Sequence, residues 1–200
     1  MNWRAFGEAA VTLTVIMDPL GNAPIFVALT SGRSRHEVRR LVVAAVGAAA
    51  ALIIGFALFG EVVLRYLNVS VDALSIAGGL LLLLVALDMM QGEDVTMGST
   101  ESTLLVPLAT PLLAGPGAIA SVMVLSRQHD TSGGRVGVIA GILVAVLVVG
   151  VALLGADLLA RLVRPSVVHF LTRVFGLLLA AIAVELIAEG VVNIANNRIT

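Results

Sequence analysis

Asp18 and Asn22 stand in a run that could bind a solute inside a membrane. The run D-P-L-G-N-A-P covers positions 18–24, and P-L-L-A-G-P-G covers 111–117. Pro19 and Pro24 each remove a backbone donor, and Gly21 admits dihedrals closed to other residues, so a helix entering this run is expected to break. Pro111, Gly115, Pro116 and Gly117 impose the same on the second run. Lipid offers no partners for the freed amides and carbonyls, so such backbone survives only when buried in protein or lining a wet cavity. A half-helix starting near Asn22 would aim its amides and positive dipole end into that cavity. Two facing half-helix ends could hold a carboxylate on amides and an ammonium on carbonyls. Asp18, Gly21, Asn22, Gly115 and Gly117 are therefore the candidate binding residues, with Pro19, Pro24, Pro111 and Pro116 holding the breaks. Asp18 could also couple transport to H+ or Na+. A plainer reading stays open, with Asp-Pro as turn chemistry and Asn22 as a helix cap.

Other polar residues are scarce. Asp88 and Glu185 each bound an apolar run, where an acid near a helix C-terminus opposes the macrodipole. Either both sit at the water interface, or they form a polar relay facing a central cavity. Glu61 and Arg65, spaced i, i+4, read as an interfacial ion pair. Gly137-x-x-x-Gly141 reads as a small-residue packing face, and Thr12 and Thr14 as hydrogen-bonding glue between helices. His36, His129 and His169 lie far apart, so no ligand cluster follows, and neither a metal nor another cofactor is expected. No G-x-S-x-G, H-E-x-x-H or paired aspartates occur in the apolar runs, so an enzyme is not expected.

The elements that must position these residues are membrane spans. Of 200 residues, 59% are hydrophobic and 12% charged, and the mean hydropathy is +1.07. Soluble domains are about 25% charged. Six spans of roughly 20 residues would consume about 120 residues and leave no room for a soluble domain. With a net charge of −1 and no basic stripe, nucleic acid is excluded as a partner. Membrane lipid is the expected surround. Leu41–Gly60 and Val136–Ala156 are free of charge, and Ala73–Leu87 and Val174–Val184 are shorter runs bounded by charges. Trp3–Thr30 reads as one crossing broken in the middle, and Ser102–Ser126 as another. Glu8 and the lack of a small-x-small site before Asp18 argue against a signal peptide. Seven arginines, four of them between Arg33 and Arg40, fall on one side and five on the other, which predicts both termini outside the cytoplasm.

The second half repeats the first. An offset of 97 residues lays Gly79-Leu80-Leu81-Leu82 on Gly176-Leu177-Leu178-Leu179, Ala86-Leu87-Asp88 on Ala183-Val184-Glu185, and Asp18-Pro19 on Gly115-Pro116. One residue less aligns Glu61 and Arg65 with Asp157 and Arg161. Three spans per half is an odd number, so the second copy is inserted upside down, as in many secondary transporters. The expected fold is an all-α membrane protein of six transmembrane helices. It forms two inverted three-helix repeats, the first helix of each broken, in a single domain over 1–200, with one repeat over about 1–97 and the other over about 98–200.

The stretches D-P-L-G-N-A-P-I-F, P-L-A-T-P-L-L-A-G-P-G-A-I and I-A-G-G-L-L-L-L-L-V-A-L-D-M resemble the MarC family of bacterial integral membrane proteins. The closing F-G-L-L-L-A-A-I-A-V-E-L-I-A-E-G is similar to that family's last span. The resemblance covers essentially the whole chain. It implies six spans in the bacterial inner membrane and a place near the LysE-type amino-acid exporters, hence a small neutral amino acid or similar zwitterionic solute as cargo. Drug or toxic-metabolite efflux is the runner-up, and a non-transporting subunit or scaffold is a third reading; under any of them the chain could form a homo-oligomer. The efflux reading wants a greasy pocket, for which six Phe, one Trp and one Tyr are few.

Overall fold

A computed structural model describes residues 2–91, 113–156, 158 and 165–199. Pro111, the repeat boundary near 97, and Asp157 and Arg161 lie outside the described residues. Among the described residues there are seven helical segments: α1 (Trp3–Met17), α2 (Pro19–Thr30), α3 (Arg35–Tyr66), α4 (Val71–Gln91), α5 (Pro116–Gln128), α6 (Ser132–Leu154) and α7 (Pro165–Ile199). Among the described residues there is no strand. The helices α3, α4, α6 and the Phe170–Asn196 stretch of α7 are long and apolar enough to cross a bilayer.

Helix ends follow local chemistry more than the edges of the charge-free runs. The α3 helix starts at Arg35, six residues before its apolar run, because Ser34 and Glu37 form a reciprocal capping box. Glu61 and Arg65 form the predicted i, i+4 pair at 3.1 Å, exposed on the last turns of α3. The α7 helix runs through its flanking charges in both directions. Glu185 consequently lies fourteen residues before the end of α7 rather than at a terminus, whereas Asp88 stands three residues from the end of α4.

Large apolar side chains point outward, as a lipid-facing surface requires: Leu58, Phe59 and Val62 on α3, and Leu143, Leu147 and Val151 on α6. Small residues point inward. A Cβ on Gly137 would lie 2.6 Å from the Asn2 carbonyl, and one on Gly141 would lie 2.7 Å from the Phe6 carbonyl. The predicted small-residue face therefore seats α6 directly against the backbone of α1.

The α4 and α7 helices meet in a reciprocal seam. A Cβ on Gly79 would approach the Ala183 carbonyl at 2.8 Å, and one on Gly176 would approach the Ala86 carbonyl at 3.1 Å. Both pairs are related by the same 97-residue offset. The middle helices bury matching faces one residue off that offset. Val42, Ala45, Ala49 and Ile53 on α3 correspond to Val138, Gly141, Ala145 and Val149 on α6.

Candidate functional site

The break between α1 and α2 is a single residue wide. Asp18 adopts a left-handed conformation (φ 35°) as C-cap of α1, and Pro19 opens α2. This is three residues earlier than the half-helix start expected at Asn22. Proline at the first helical position suits its missing N–H and fixed φ, and Asp18 serves as the N-cap. The Gly21 N–H donates to Asp18 Oδ1 at 3.1 Å. Asn22 Nδ2 donates to the Met17 carbonyl at 2.8 Å, occupying an acceptor that the end of α1 leaves open. Asp18 is 8% exposed. A Cβ on Gly21 would overlap the Asp18 carboxylate, so the turn requires glycine there. Asp18, Gly21 and Asn22 thus form one unit whose polar atoms hold the break together.

The second break is its counterpart without a side-chain cap. Gly115 is the N-cap of α5 and Pro116 its first residue, and no side chain bonds the first amides. Gly117 is buried, and a Cβ there would overlap Leu82 of α4. Gly78 of α4 abuts Ala120 of α5 in the same way. These glycines let α4 and α5 pack closely. Among the described residues no hydrogen bond joins the two breaks. Pro24 continues α2, which runs to Thr30.

Polar side chains gather above the breaks, toward the end of the bundle that carries the N-terminus. A cavity of about 540 Å³ is lined by α1 (Arg4, Glu8, Thr12), by α5 (Ser121, Gln128), and by α7 (Glu185, Glu189), among others. At 1.5 Å per residue, Arg4 to Thr12 descends about 12 Å along α1, and Asp18 lies about 9 Å beyond Thr12. A second cavity of about 310 Å³ shares Val124, Gln128 and Glu189 with the first and adds Asp72, Ser75, Arg127 and Asn193. Both predicted relay acids are exposed; Glu185 lines the larger cavity and Asp88 lines neither.

Cross-helix polar contacts tie the C-terminal end of α5 to its neighbours. His129 Nε2 lies 2.7 Å from Glu8 Oε2, and Arg4 Nε donates to Glu8 Oε1 at 2.7 Å. Gln128 Nε2 donates to both oxygens of Glu189 at 3.2 and 3.1 Å. Asp72, 6% exposed, accepts from Arg127 at 3.4 Å and from Asn193 at 3.2 Å. Arg127→Ala deprives this buried carboxylate of its charged donor, and the expected loss of stability is about 1–2 kcal/mol. Combined with Asp72→Asn in a double-mutant cycle, the two losses should fall short of additive by about 0.5 kcal/mol or more. Strict additivity would mean that the contact carries no energy. Among the described residues no group of three His, Asp or Glu converges as metal ligands would.

Sequence reasoning passed over Ser121, Gln128, Glu189, Asp72 and Asn193, and it used Glu8, Arg127 and His129 only for topology and exclusion. One usable signal existed. Arg4, Glu8 and Thr12 recur every fourth residue on α1, so they share one face of a helix otherwise rich in apolar residues.

A family model for MarC family integral membrane proteins matches residues 3–195. A UPF0056 membrane protein of Methanocaldococcus jannaschii is 36% identical over 96% of this chain and 98% of its own length. The UPF0056 inner membrane protein YhgN of Escherichia coli is 34% identical over 92% of this chain and 94% of its own. A UPF0056 membrane protein of Aquifex aeolicus is 30% identical over 94% and 93%. No solved structure matches. The chain belongs to the MarC family of integral membrane proteins.

Proposed function

We propose that this protein is a secondary transporter that exports small neutral amino acids or similar zwitterionic metabolites. It does so as a six-span inner-membrane protein built from two inverted repeats. The observation that carries the reading is the polar cavity of about 540 Å³, which enters an otherwise apolar bundle and descends toward two broken helices. Ser121, buried on the cavity wall with no partner among the described residues, supports a ligand site over a scaffold, since a buried unpaired hydroxyl costs desolvation energy. The reciprocal Gly79–Ala183 and Gly176–Ala86 contacts support the repeat, because an internal two-fold axis in the membrane plane exchanges them. The name of YhgN supports placement in the inner membrane. The arginine bias supports termini outside the cytoplasm.

In this reading solute passes from the breaks to the cavity. Asp18 is the sole acid at the breaks and the point where H+ or Na+ would couple to movement. The test is release of labelled alanine, glycine or serine from proteoliposomes, with Asp18→Asn and Asn22→Ala beside the unaltered protein. Asparagine preserves the cap and removes the charge, so ion-driven accumulation should disappear while the thermal midpoint holds. Equal release by all three proteins would eliminate the breaks as the transport site. No release of any of these solutes by the unaltered protein would favour the scaffold.

A further inference from the structure

The larger cavity carries an imbalance of charge and an unsatisfied hydroxyl. Its described lining holds the carboxylates of Glu8, Glu185 and Glu189 against Arg4 and the His129 ring. Glu8 is engaged by both Arg4 and His129, and Glu189 receives only the neutral Gln128 amide. Glu185 has no hydrogen-bond or ion-pair partner among the described residues. Among the described residues the exposed Glu185 and the partly exposed Glu189 thus bring two carboxylates to the cavity with no cation beside them, a net negative charge that favours a cation there.

Ser121 gives a second, independent sign. Helical hydroxyls commonly back-bond to the carbonyl one turn earlier, and three others in this chain do so. Thr14 donates to Ala10 at 2.6 Å, Thr30 to Phe26 at 2.7 Å and Ser75 to Val71 at 2.8 Å. Ser121, 2% exposed and lining the cavity, has no partner for its Oγ among the described residues. A buried hydroxyl that forgoes its own helix is set for a ligand. Apolar side chains of Val124, Ile182 and Leu186 complete the wall and suit a short alkyl group.

We infer that the cavity between α1, α5 and α7 is a cation-accepting site, with Glu185 as counter-charge and the Ser121 hydroxyl as neutral ligand. It takes the ammonium group of a small solute or a monovalent metal cation. The site stands on its own geometry; only the assignment of its occupant to a transported amino acid rests on the transport reading.

The experiment uses the purified full-length protein in detergent, titrated with ethylammonium chloride or sodium chloride against N-methylglucamine chloride at constant ionic strength. The readout is the thermal midpoint. Saturable stabilisation by ethylammonium is expected. Glu185→Gln should weaken it by about tenfold, and Ser121→Ala by about fivefold, in keeping with a charged and a neutral hydrogen bond. Glu61→Gln, which removes an exposed acid outside the cavity, should leave it unchanged. Ser121→Ala should not lower the midpoint of the unliganded protein, which separates a ligand from a structural prop. Saturation by sodium alone upholds the site and makes its occupant a metal cation. Absence of saturable binding of either cation overturns the inference, as does binding indifferent to both variants. Cation binding without alanine flux in vesicles would keep the site and remove the transporter. Alanine flux with binding unaltered in Glu185→Gln would do the reverse.

Discussion

Valine in place of Gly141 is expected to abolish recovery of folded protein, while alanine in place of Gly47 should raise the thermal midpoint. The first Cβ atom at Gly141 would already meet Ala9 Cβ and the Phe6 carbonyl at 2.7 Å and the Ala10 amide nitrogen at 2.9 Å. Two of those three atoms are backbone and cannot rotate aside. The only relief is to separate α6 from α1 along the interface that Gly137 also shapes, forfeiting dispersion contacts on both helices. Overpacking of a well-filled core costs about 1–3 kcal/mol, and the cost here lies at or above the top of that range because whole helices must move. Total stabilities are about 5–15 kcal/mol, so Gly141→Val should yield aggregated or degraded material. Nothing lies within 4 Å of a Cβ at Gly47, so alanine there gains about 1 kcal/mol of helix propensity. Monodispersity by size-exclusion chromatography and the thermal midpoint report both outcomes. A folded Gly141→Val with an unchanged midpoint would show that α1 and α6 are not in backbone contact.

The second large effect belongs to Asp18, where three substitutions should rank by two separable costs. Asparagine retains an oxygen for the Gly21 amide and tolerates the left-handed backbone, so its stability should match the parent. Glycine accepts the backbone but loses the side-chain cap, at a cost of about 0.3 kcal/mol. Alanine loses the cap and adds left-handed strain, for about 2–3 kcal/mol in all. The order Asn, Gly, Ala in falling thermal midpoint checks the assignment. An alanine variant as stable as the parent would refute the cap. Since asparagine holds the fold, any transport defect it causes reflects the lost charge alone.

Much of the architecture was legible because lipid imposes a coarse rule. Charge-free runs near 20 residues read as spans, and proline is the expected place for such a run to break, as at Pro19, although Pro24 lies inside α2 without ending it. The Asp18-Pro19 break, the Glu61–Arg65 pair and the Gly137/Gly141 face all follow from spacing within one helix, where i, i+4 geometry is fixed. Helix ends were less legible. The α3 start depends on Ser34 and Glu37, a capping box whose S-x-x-E pattern was readable but lay in a stretch that drew attention as a run of arginines. The cavity was the least legible part. Glu8 meets His129 across 121 positions, and Gln128 meets Glu189 across 61. No local period connects residues on three helices whose relative rotation is set by packing. Ser121 was invisible for another reason: its signal is a missing hydrogen bond, and a sequence cannot display an absence.

The close seams also govern how the protein is made. The partner surface of α1 is on α6, and that of Gly79 is on α7, both in the second half of the chain. Neither seam can close while only the first hundred residues have left the ribosome. At roughly 5–20 residues per second, the second half takes about 5–20 s to follow. For that interval the seam face of α1 and the glycine-notched flank of α4 meet lipid or the insertion machinery instead of their partners. The α4 seam therefore stays open until α7 is in place.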